Sequence, residues 1–232
     1  MRVSLVIALL LPTWTLTAGI ARAQQVPAGA ANAANAAPAV APSVEEPTAD
    51  RPWTFGATAY VFFVPSGTDY VLSIVTLDHD SVHLEARYSY EALRTGSAWI
   101  GYNFSGGEKL VWELRPVLGT VFGTVNGFAP GYEGSLGVWK VELYSEGEVV
   151  FDVAETSESF FYSWSELSLA PIAWLHFGMV LQRTRVYQTD RELQPGLLAG
   201  VSFGPASLTG YVLNPDESQP VVAMSAAVDF DL

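Results

Sequence analysis

The stretch S-V-H-L-E-A-R-Y-S-Y-E, residues 81–91, alternates between apolar and polar residues at every position after the first. Its apolar or aromatic members are Val82, Leu84, Ala86, Tyr88 and Tyr90, and its polar or charged members are His83, Glu85, Arg87, Ser89 and Glu91. Successive side chains of a β-strand point to opposite faces. The stretch therefore predicts a strand with one apolar and one polar face. The solvent on each side decides what class of protein this is.

Similar alternating runs recur to the end of the chain and predict an all-β fold. Turn residues separate them, for example P-S-G-T-D at 65–69 and N-P-D-E-S at 214–218. The predicted strands are 53–63, 70–77, 81–91, 97–104, 109–122, 129–136, 141–153, 160–169, 174–187, 194–203, 206–213 and 220–232. Twelve strands are expected, with ten as the alternative if two short runs are loops. No long helical periodicity interrupts the series.

The first 51 residues differ in composition from the rest and predict two further segments. Arg2, an apolar run and the small-x-small sequence Ala21-Arg22-Ala23 predict a signal peptide over 1–23, cleaved before Gln24. An uncleaved membrane anchor is the alternative. Residues 24–51 are rich in Ala and Pro and predict a disordered tether, followed by the β-domain at 52–232.

The composition excludes several classes of function. The net charge is −13, which argues against nucleic acid as an electrostatic partner. The chain has no cysteine, so disulfides, thiolate metal sites and a cysteine nucleophile are excluded. Charged residues make up only 15% of the chain, compared with about 25% in a typical soluble domain. Water-facing surface is therefore scarce.

The polar strand faces carry the residues expected of a narrow interior. A soluble sandwich turns its apolar face inward, whereas a membrane barrel turns it toward lipid. Solvated sheet faces are rich in lysine, but this chain has only Lys109 and Lys140. Glutamate and arginine predominate instead, and they can form bidentate pairs. The expected lumen residues are His83, Glu85, Arg87, Glu113, Arg115, Glu142, Tyr144, Glu148 and Glu166.

Aromatic residues near the predicted strand ends also favour a membrane barrel. Rings of this kind favour the two interfaces of a bilayer. The sequence-based expectation places at these interfaces Trp53, Phe62, Phe63, Trp139, Phe160, Phe161, Tyr162, Trp164, Trp174 and Tyr187. A tryptophan-rich soluble core is the alternative.

The last eight residues, S-A-A-V-D-F-D-L, resemble the C-terminal assembly signal of Gram-negative outer-membrane β-barrels. Ser225, Phe230 and Leu232 fit that signal, whereas Ala227 replaces its glycine and Leu232 its usual terminal aromatic residue. The resemblance implies a closed antiparallel transmembrane β-barrel in the bacterial outer membrane. Outer-membrane lipid, lipopolysaccharide and the assembly machinery are the partners it implies. A secreted soluble β-domain is the alternative.

Catalysis is not expected. Small barrels of this class include lipid enzymes that use a histidine, but His79, His83 and His176 are predicted near the periplasmic rim, away from outer-leaflet lipid. No nucleophile elbow, zincin motif or phosphate loop is present. Glutamate pairs suited to glycosidic hydrolysis are not singled out by spacing. We therefore predict no metal and no cofactor.

The function expected from the sequence is a small passive pore with an acidic, Glu/Arg-lined lumen. A structural or assembly-related barrel with a salt-bridged, closed lumen is the alternative, and a lipid-modifying enzyme is a distant one. Arg183, Arg185 and Arg191 cluster near the outer end of a predicted strand and are candidates for binding lipopolysaccharide phosphates.

Overall fold

The computed structural model describes residues 52–65, 67–154, 159–186 and 192–232, with backbone only for 184–186 and 192. The predicted signal peptide and tether lie outside the described residues. The strands are β1 Thr54–Phe63, β2 Tyr70–His79, β3 Val82–Tyr88, β4 Thr95–Tyr102, β5 Phe104–Gly106, β6 Leu110–Gly123, β7 Gly127–Val138, β8 Val141–Asp152, β9 Phe160–Ile172, β10 Leu175–Val186, β11 Glu192–Phe203, β12 Ala206–Leu213 and β13 Val221–Asp231. Every strand predicted from the sequence is present.

The strands form one closed antiparallel barrel. Consecutive strands pair with each other except β4 and β5, β1 pairs with β13, and β4 pairs with β6 to complete the ring. The three-residue β5 pairs with the first part of β6, and β4 pairs with the remainder of β6. Together, β4 and β5 therefore occupy one position of a twelve-strand barrel. Closure provides hydrogen-bond partners for the backbone N–H and C=O groups of the first and last strands, as a bilayer requires. The predicted fold is confirmed.

Among the described residues, no helix is long and apolar enough to cross a membrane.

The apolar strand faces point outward and the polar faces point into the lumen. Along β3, Val82, Leu84 and Tyr88 are exposed on the exterior. The alternate residues His83, Glu85 and Arg87 are buried. The other strands repeat this arrangement, with exterior residues such as Ile100, Leu118, Met179, Leu197 and Met224. An apolar exterior around a polar interior is the arrangement of an outer-membrane barrel, and it supports the predicted localisation.

Tyr90 is an exception, and its predicted lipid-facing position is wrong. The strand ends at Tyr88 because Ser89 takes a left-handed φ of 55°, which breaks the extended backbone. The chain then turns inward, and Tyr90 is only 1% exposed. Strict alternation holds only while the backbone stays extended, so it cannot predict the direction of a side chain beyond that break.

Part of the predicted aromatic girdle is also wrong. Phe62, Phe160, Tyr162 and Trp164 are buried in the lumen instead of lying at a bilayer interface. Trp53, Phe63, Trp139 and Trp174 are exposed as expected, Phe161 is half-buried, and Tyr187 lies outside the described residues. The inward rings lie on the same alternate positions as the other lumen residues of their strands. This alternation therefore predicted the direction of a ring better than its position near a strand end did.

The two ends of the barrel differ in their connections. The described residues begin at Pro52 and end at Leu232 at one end of the barrel, here called the terminal end, where 80–81, 139–140, 173–174 and 204–205 are two-residue turns. The opposite end, here called the loop end, carries the longer connections 64–69, 89–94 and 214–220. Outer-membrane barrels place short turns in the periplasm and longer loops outside. This difference favours a periplasmic terminal end.

Replacing Leu118 with arginine should destabilise the barrel in lipid vesicles by about 2–4 kcal/mol, because the side chain would meet hydrocarbon near mid-bilayer. Leu118 is 55% exposed in the middle of β6. Val153, at the loop end, is the control, and Val153→Arg should cost at most about 1 kcal/mol. Denaturant unfolding in vesicles measures both changes. Equal stability of Leu118→Arg and the wild type would contradict a lipid-facing exterior.

Candidate functional site in the barrel lumen

The lumen contains all nine side chains predicted to line it. They lie on β3, β6, β8 and β9, and each occupies an inward position of its strand. Glu113 and Arg115, near the terminal end of β6, are half-buried, and the other seven are buried. Their role in transport is not tested by this placement and remains a prediction.

Arg87 is the centre of an ion-pair network that crosses the lumen. Its Nε donates to Glu85 on the same strand at 2.6 Å, and Nη1 reaches Glu148 on β8 at 3.0 Å. Nη2 also donates to Glu133 on β7 at 3.3 Å. In the ring, β3 and β8 are separated by β4, β6 and β7. The guanidinium therefore ties together parts of the wall that are four strands apart.

Two aromatic rings hold the Arg87 guanidinium in place. Its Cζ lies 4.2 Å from the ring centroid of Trp99 and 4.3 Å from that of Tyr90. Trp99 can lie against the wall because Gly119 faces it from β6, and a Cβ there would come within 2.3 Å of the indole. Stacking on aromatic faces suits a planar guanidinium better than an ammonium. The network therefore depends on arginine in particular.

Arg115 forms a second centre nearer the terminal end. It donates to Glu133 at 2.7 Å and to Asp78 on β2 at 3.4 Å, and its Nε donates to Asn103. Glu133 is thus shared between the two arginines. The charged side chains of β2, β3, β6, β7 and β8 form one connected cluster.

His83, Glu85 and Glu133 lie close enough for a metal-binding group, with one ligand atom from each within 4.8 Å of the others. The contacts of these residues give them another role. Both glutamates are already ion-paired with arginine, and the two ring nitrogens of His83 lie 2.9 Å from Asp78 and 3.2 Å from Glu85. Two arginines beside the group would oppose a cation there.

Residues 89–92, here called the inward segment, enter the lumen from the loop end. All four residues are buried, although they belong to a connection between strands. The Tyr90 hydroxyl donates to Glu146 on β8 at 3.2 Å, and its ring packs edge-on against Tyr162 at 5.9 Å. The segment therefore reaches the far wall and narrows the lumen from the β3–β4 side.

An aromatic layer fills the remainder of the lumen at about the same level. The rings of Tyr60 on β1 and Tyr211 on β12 are 6.2 Å apart, and Tyr211 lies 5.7 Å from Trp164 on β9. These three side chains are no more than 1% exposed. Apolar residues toward the loop end, among them Phe62, Leu72, Val121, Val150, Phe160 and Leu213, continue this cluster. The described lumen is therefore closed in this conformation.

Carboxyl groups outnumber basic groups inside the barrel. Eight buried acids face the lumen, namely Glu85, Glu91, Glu133, Glu142, Glu146, Glu148, Asp152 and Glu166. Arg87 and Arg115 are the arginines paired with acids among the described residues. Oxygen atoms of Glu91, Glu142, Glu148 and Glu166 are buried without a hydrogen-bond partner. A buried carboxylate without a partner is unfavourable unless water, a proton or a cation reaches it.

Several residues of this site were not among the predicted lumen candidates. Glu133 and Ser135 are alternate residues of one predicted strand and therefore share its polar face. Alternation alone could have identified Glu133 as a lumen residue. Tyr90 could not have been found by parity, because it lies beyond the break at Ser89. Of the aromatic layer, only Trp164 was predicted, and it was placed at a bilayer interface for the reason given above.

The remaining predicted residues lie outside the lumen cluster. Arg183 is half-buried near the loop end of β10, and its Cζ lies 5.3 Å from the Phe161 ring centroid. The side chain of Arg185 and all of Arg191 lie outside the described residues. On β13, Ser225 and Ala227 face inward and Phe230 is exposed, and Leu232, which follows β13, is also exposed. The proposed roles in lipid binding and assembly stay predictions.

No family model matches the chain, and no curated protein matches it in sequence. Solved structures do. A KdgM porin matches with 10% identity and a TM-score of 0.53, over 75% of this chain and 99% of that chain. A KdgM porin in complex with disordered oligogalacturonate matches with 8% identity and a TM-score of 0.51, over 77% and 99%. At these identities, the likeness establishes a shared porin-type barrel fold.

OccK5 (OpdH) of Pseudomonas aeruginosa is a more distant match. It has 10% identity and a TM-score of 0.40, over 78% of this chain and 67% of that chain.

Replacing Arg87 with methionine should lower the free energy of unfolding by about 3–5 kcal/mol, because it leaves buried carboxylates without a partner. Arg94, exposed in the same connection as the inward segment, is the control, and Arg94→Met should change stability by at most about 0.5 kcal/mol. Denaturant unfolding followed by tryptophan fluorescence measures both. A similar small effect for the two variants would contradict the central role of Arg87.

Proposed function

We propose that the chain forms a small passive channel of the outer membrane with an acidic lumen that favours cations. The observation that carries this proposal is the excess of buried carboxyl groups over arginines in the lumen. The porin-type fold supports it independently.

The excess of acids favours a channel over a lumen that is packed only for stability. A packed interior buries charge in matched pairs, because an unpaired buried charge costs several kcal/mol. Glu142 and Glu166 each have a buried oxygen without a partner, and the charged neighbours of Glu142 are the acids Glu113 and Glu166. Residues of this kind are useful where water and cations enter, and rings of carboxylates select cations in channels.

The closed conformation is compatible with a channel because its barriers are side chains and one connection. Eight strands enclose a space just large enough for side chains, and twelve enclose more. Here the additional space is taken up by the inward segment and the aromatic layer. Withdrawal of the inward segment would break the contacts of Tyr90 and would leave the barrel wall intact. We assign the inward segment as the constriction of the proposed channel.

The charge of the lumen argues against transfer of the ligand named with one structural neighbour. That KdgM porin is in complex with oligogalacturonate, a polyanion. Eight buried acids with two paired arginines would repel a polyanion. The proposed solutes of this chain are therefore small cations or neutral molecules.

A structural barrel without transport is the second candidate. The observation that favours it is the set of contacts that cross the lumen, namely Arg87 to Glu148 and Trp164 to Tyr211. If these contacts never open, the lumen serves as the core of the protein. The two candidates differ in conductance, which is directly measurable.

Purified protein in a planar bilayer should produce single-channel steps. In a gradient of KCl, the reversal potential should have the sign of a membrane more permeable to K⁺ than to Cl⁻, because the lumen is acidic. The absence of steps at any voltage would favour the structural barrel, and anion selectivity would contradict the acidic pore.

The conductance should fall at acidic pH because of Glu91, which lies in the inward segment and outside the strands. Burial raises the pKa of its carboxyl above the ordinary value of a glutamate, since burial disfavours the charged form. Protonation therefore stabilises the inward position. This stabilisation is complete below the ordinary pKa and is lost as the pH rises through the raised pKa.

Single-channel recordings at about pH 4 and about pH 8 test this dependence, the lower value lying near the ordinary pKa of glutamate. Glu91→Gln is neutral throughout and should keep the conductance low at both pH values. Glu217→Gln, in the exposed connection 214–220, is the control and should behave as the wild type. A full pH response in Glu91→Gln would contradict the assignment.

A further inference from the structure

We infer that Glu142, Ser168 and Glu166 form a binding site for a divalent cation on the lumen wall between β8 and β9. The inference deepens the proposed acidic lumen, because it names the ligand that its unpaired carboxyl groups take up. It requires an ion to reach the terminal half of the lumen, but it does not require the barrel to conduct.

The register of the sheet brings the three residues together. Glu142 on β8 lies directly opposite Ser168 on β9, and Glu166 is two residues from Ser168 on the same face of β9. Directly opposite residues of an antiparallel pair have Cβ atoms about 5 Å apart, and diagonal ones about 7–8 Å apart. Side chains as long as glutamate can span these separations, so their oxygens can share one ion.

All three side chains have a buried oxygen without a partner. These atoms are Oε1 of Glu142, Oγ of Ser168 and Oε2 of Glu166. Each side chain is at most 5% exposed. The serine is an independent observation. Its hydroxyl could donate to either of the two neighbouring acids, and yet its oxygen has no hydrogen-bond partner. The other oxygen of Glu166 accepts a bond from Trp164 Nε1 at 2.8 Å, which fixes the position of this carboxyl group.

Among the described side chains, no arginine forms an ion pair with these acids. The charged groups that act on Glu142 are Glu113 and Glu166, and the side chains that bond Glu166 are Trp164 and Tyr211. Arg87 and Arg115 make their ion pairs with Glu85, Glu133, Glu148 and Asp78 instead. This arrangement is the opposite of that around His83, where arginines already neutralise both glutamates.

The donor set determines the class of ion. Two carboxylates and one hydroxyl are hard oxygen ligands. Such ligands bind Ca²⁺ and Mg²⁺ in preference to softer metals. Two negative charges match one divalent ion. Ca²⁺ tolerates irregular geometry and completes its six to eight ligands with water. Ca²⁺ is therefore the appropriate probe.

Calorimetric titration of CaCl₂ into the full, folded chain tests the site. The protein is refolded in detergent without lipopolysaccharide, so that no lipid phosphate binds the added Ca²⁺. We expect binding of one Ca²⁺ per chain, and a loss of affinity of at least about tenfold in both Glu142→Gln and Glu166→Gln, since each removes one of the two charged ligands. Ser168→Ala removes a neutral ligand and should weaken binding less.

Glu85→Gln is the matched control, because Glu85 is also a buried lumen carboxyl and Arg87 keeps Glu133 and Glu148 as partners without it. This variant should bind Ca²⁺ as the wild type does. Heat-modifiable gel migration verifies that each variant is folded, and if a glutamine variant does not fold, Ser168→Ala and Glu85→Gln still form the comparison.

Three results would overturn the inference. The folded wild type could bind no Ca²⁺. The glutamine variants, or Ser168→Ala where these do not fold, could bind with unchanged affinity. Glu85→Gln could lose as much affinity as they do, which would assign binding to the overall charge of the lumen. None of these results depends on conductance, so the site and the proposed channel can fail separately.

Discussion

The Arg87 guanidinium is the contact on which the interior of this barrel depends. It joins β3 to β7 and β8 through Glu133 and Glu148, and it packs between the rings of Trp99 and Tyr90. The inward segment is held by the same group, because Tyr90 contacts it directly. One side chain therefore links the wall, the inward segment and the excess of acids, and no ammonium could make the same set of bonds.

Two opposing properties of the lumen arise around this contact. The aromatic layer has the low exposure of a protein core, whereas the terminal half contains carboxyl groups without partners. A barrel selected only for stability would have little reason to combine them. The combination is reasonable for a lumen that is closed at one level and accessible to ions below it. The proposed channel and the proposed cation site both rest on this division.

The sequence contained most of the fold because the period of a strand is short and regular. Alternation in 81–88 and 141–152 predicted which residues face lipid and which face the lumen, including Glu85, Arg87 and Glu148. It failed at Tyr90, because the preceding residue, Ser89, adopts a left-handed backbone conformation that the nearby sequence does not predict. It also could not pair Arg87 with Glu148, since partners 61 residues apart depend on the closed ring. Local periodicity specifies faces, and only closure specifies contacts across the lumen.

The central claim is that Arg87 and Glu148 form a direct pair across the lumen, and a double-mutant cycle tests it most directly. Arg87→Met, Glu148→Gln and the double variant are unfolded by denaturant in the same vesicles. Residues in contact show coupling of about 0.5–3 kcal/mol, so the double variant should lose less stability than the sum of the two single variants. Additive losses would contradict the account, because they would mean that the two side chains act independently.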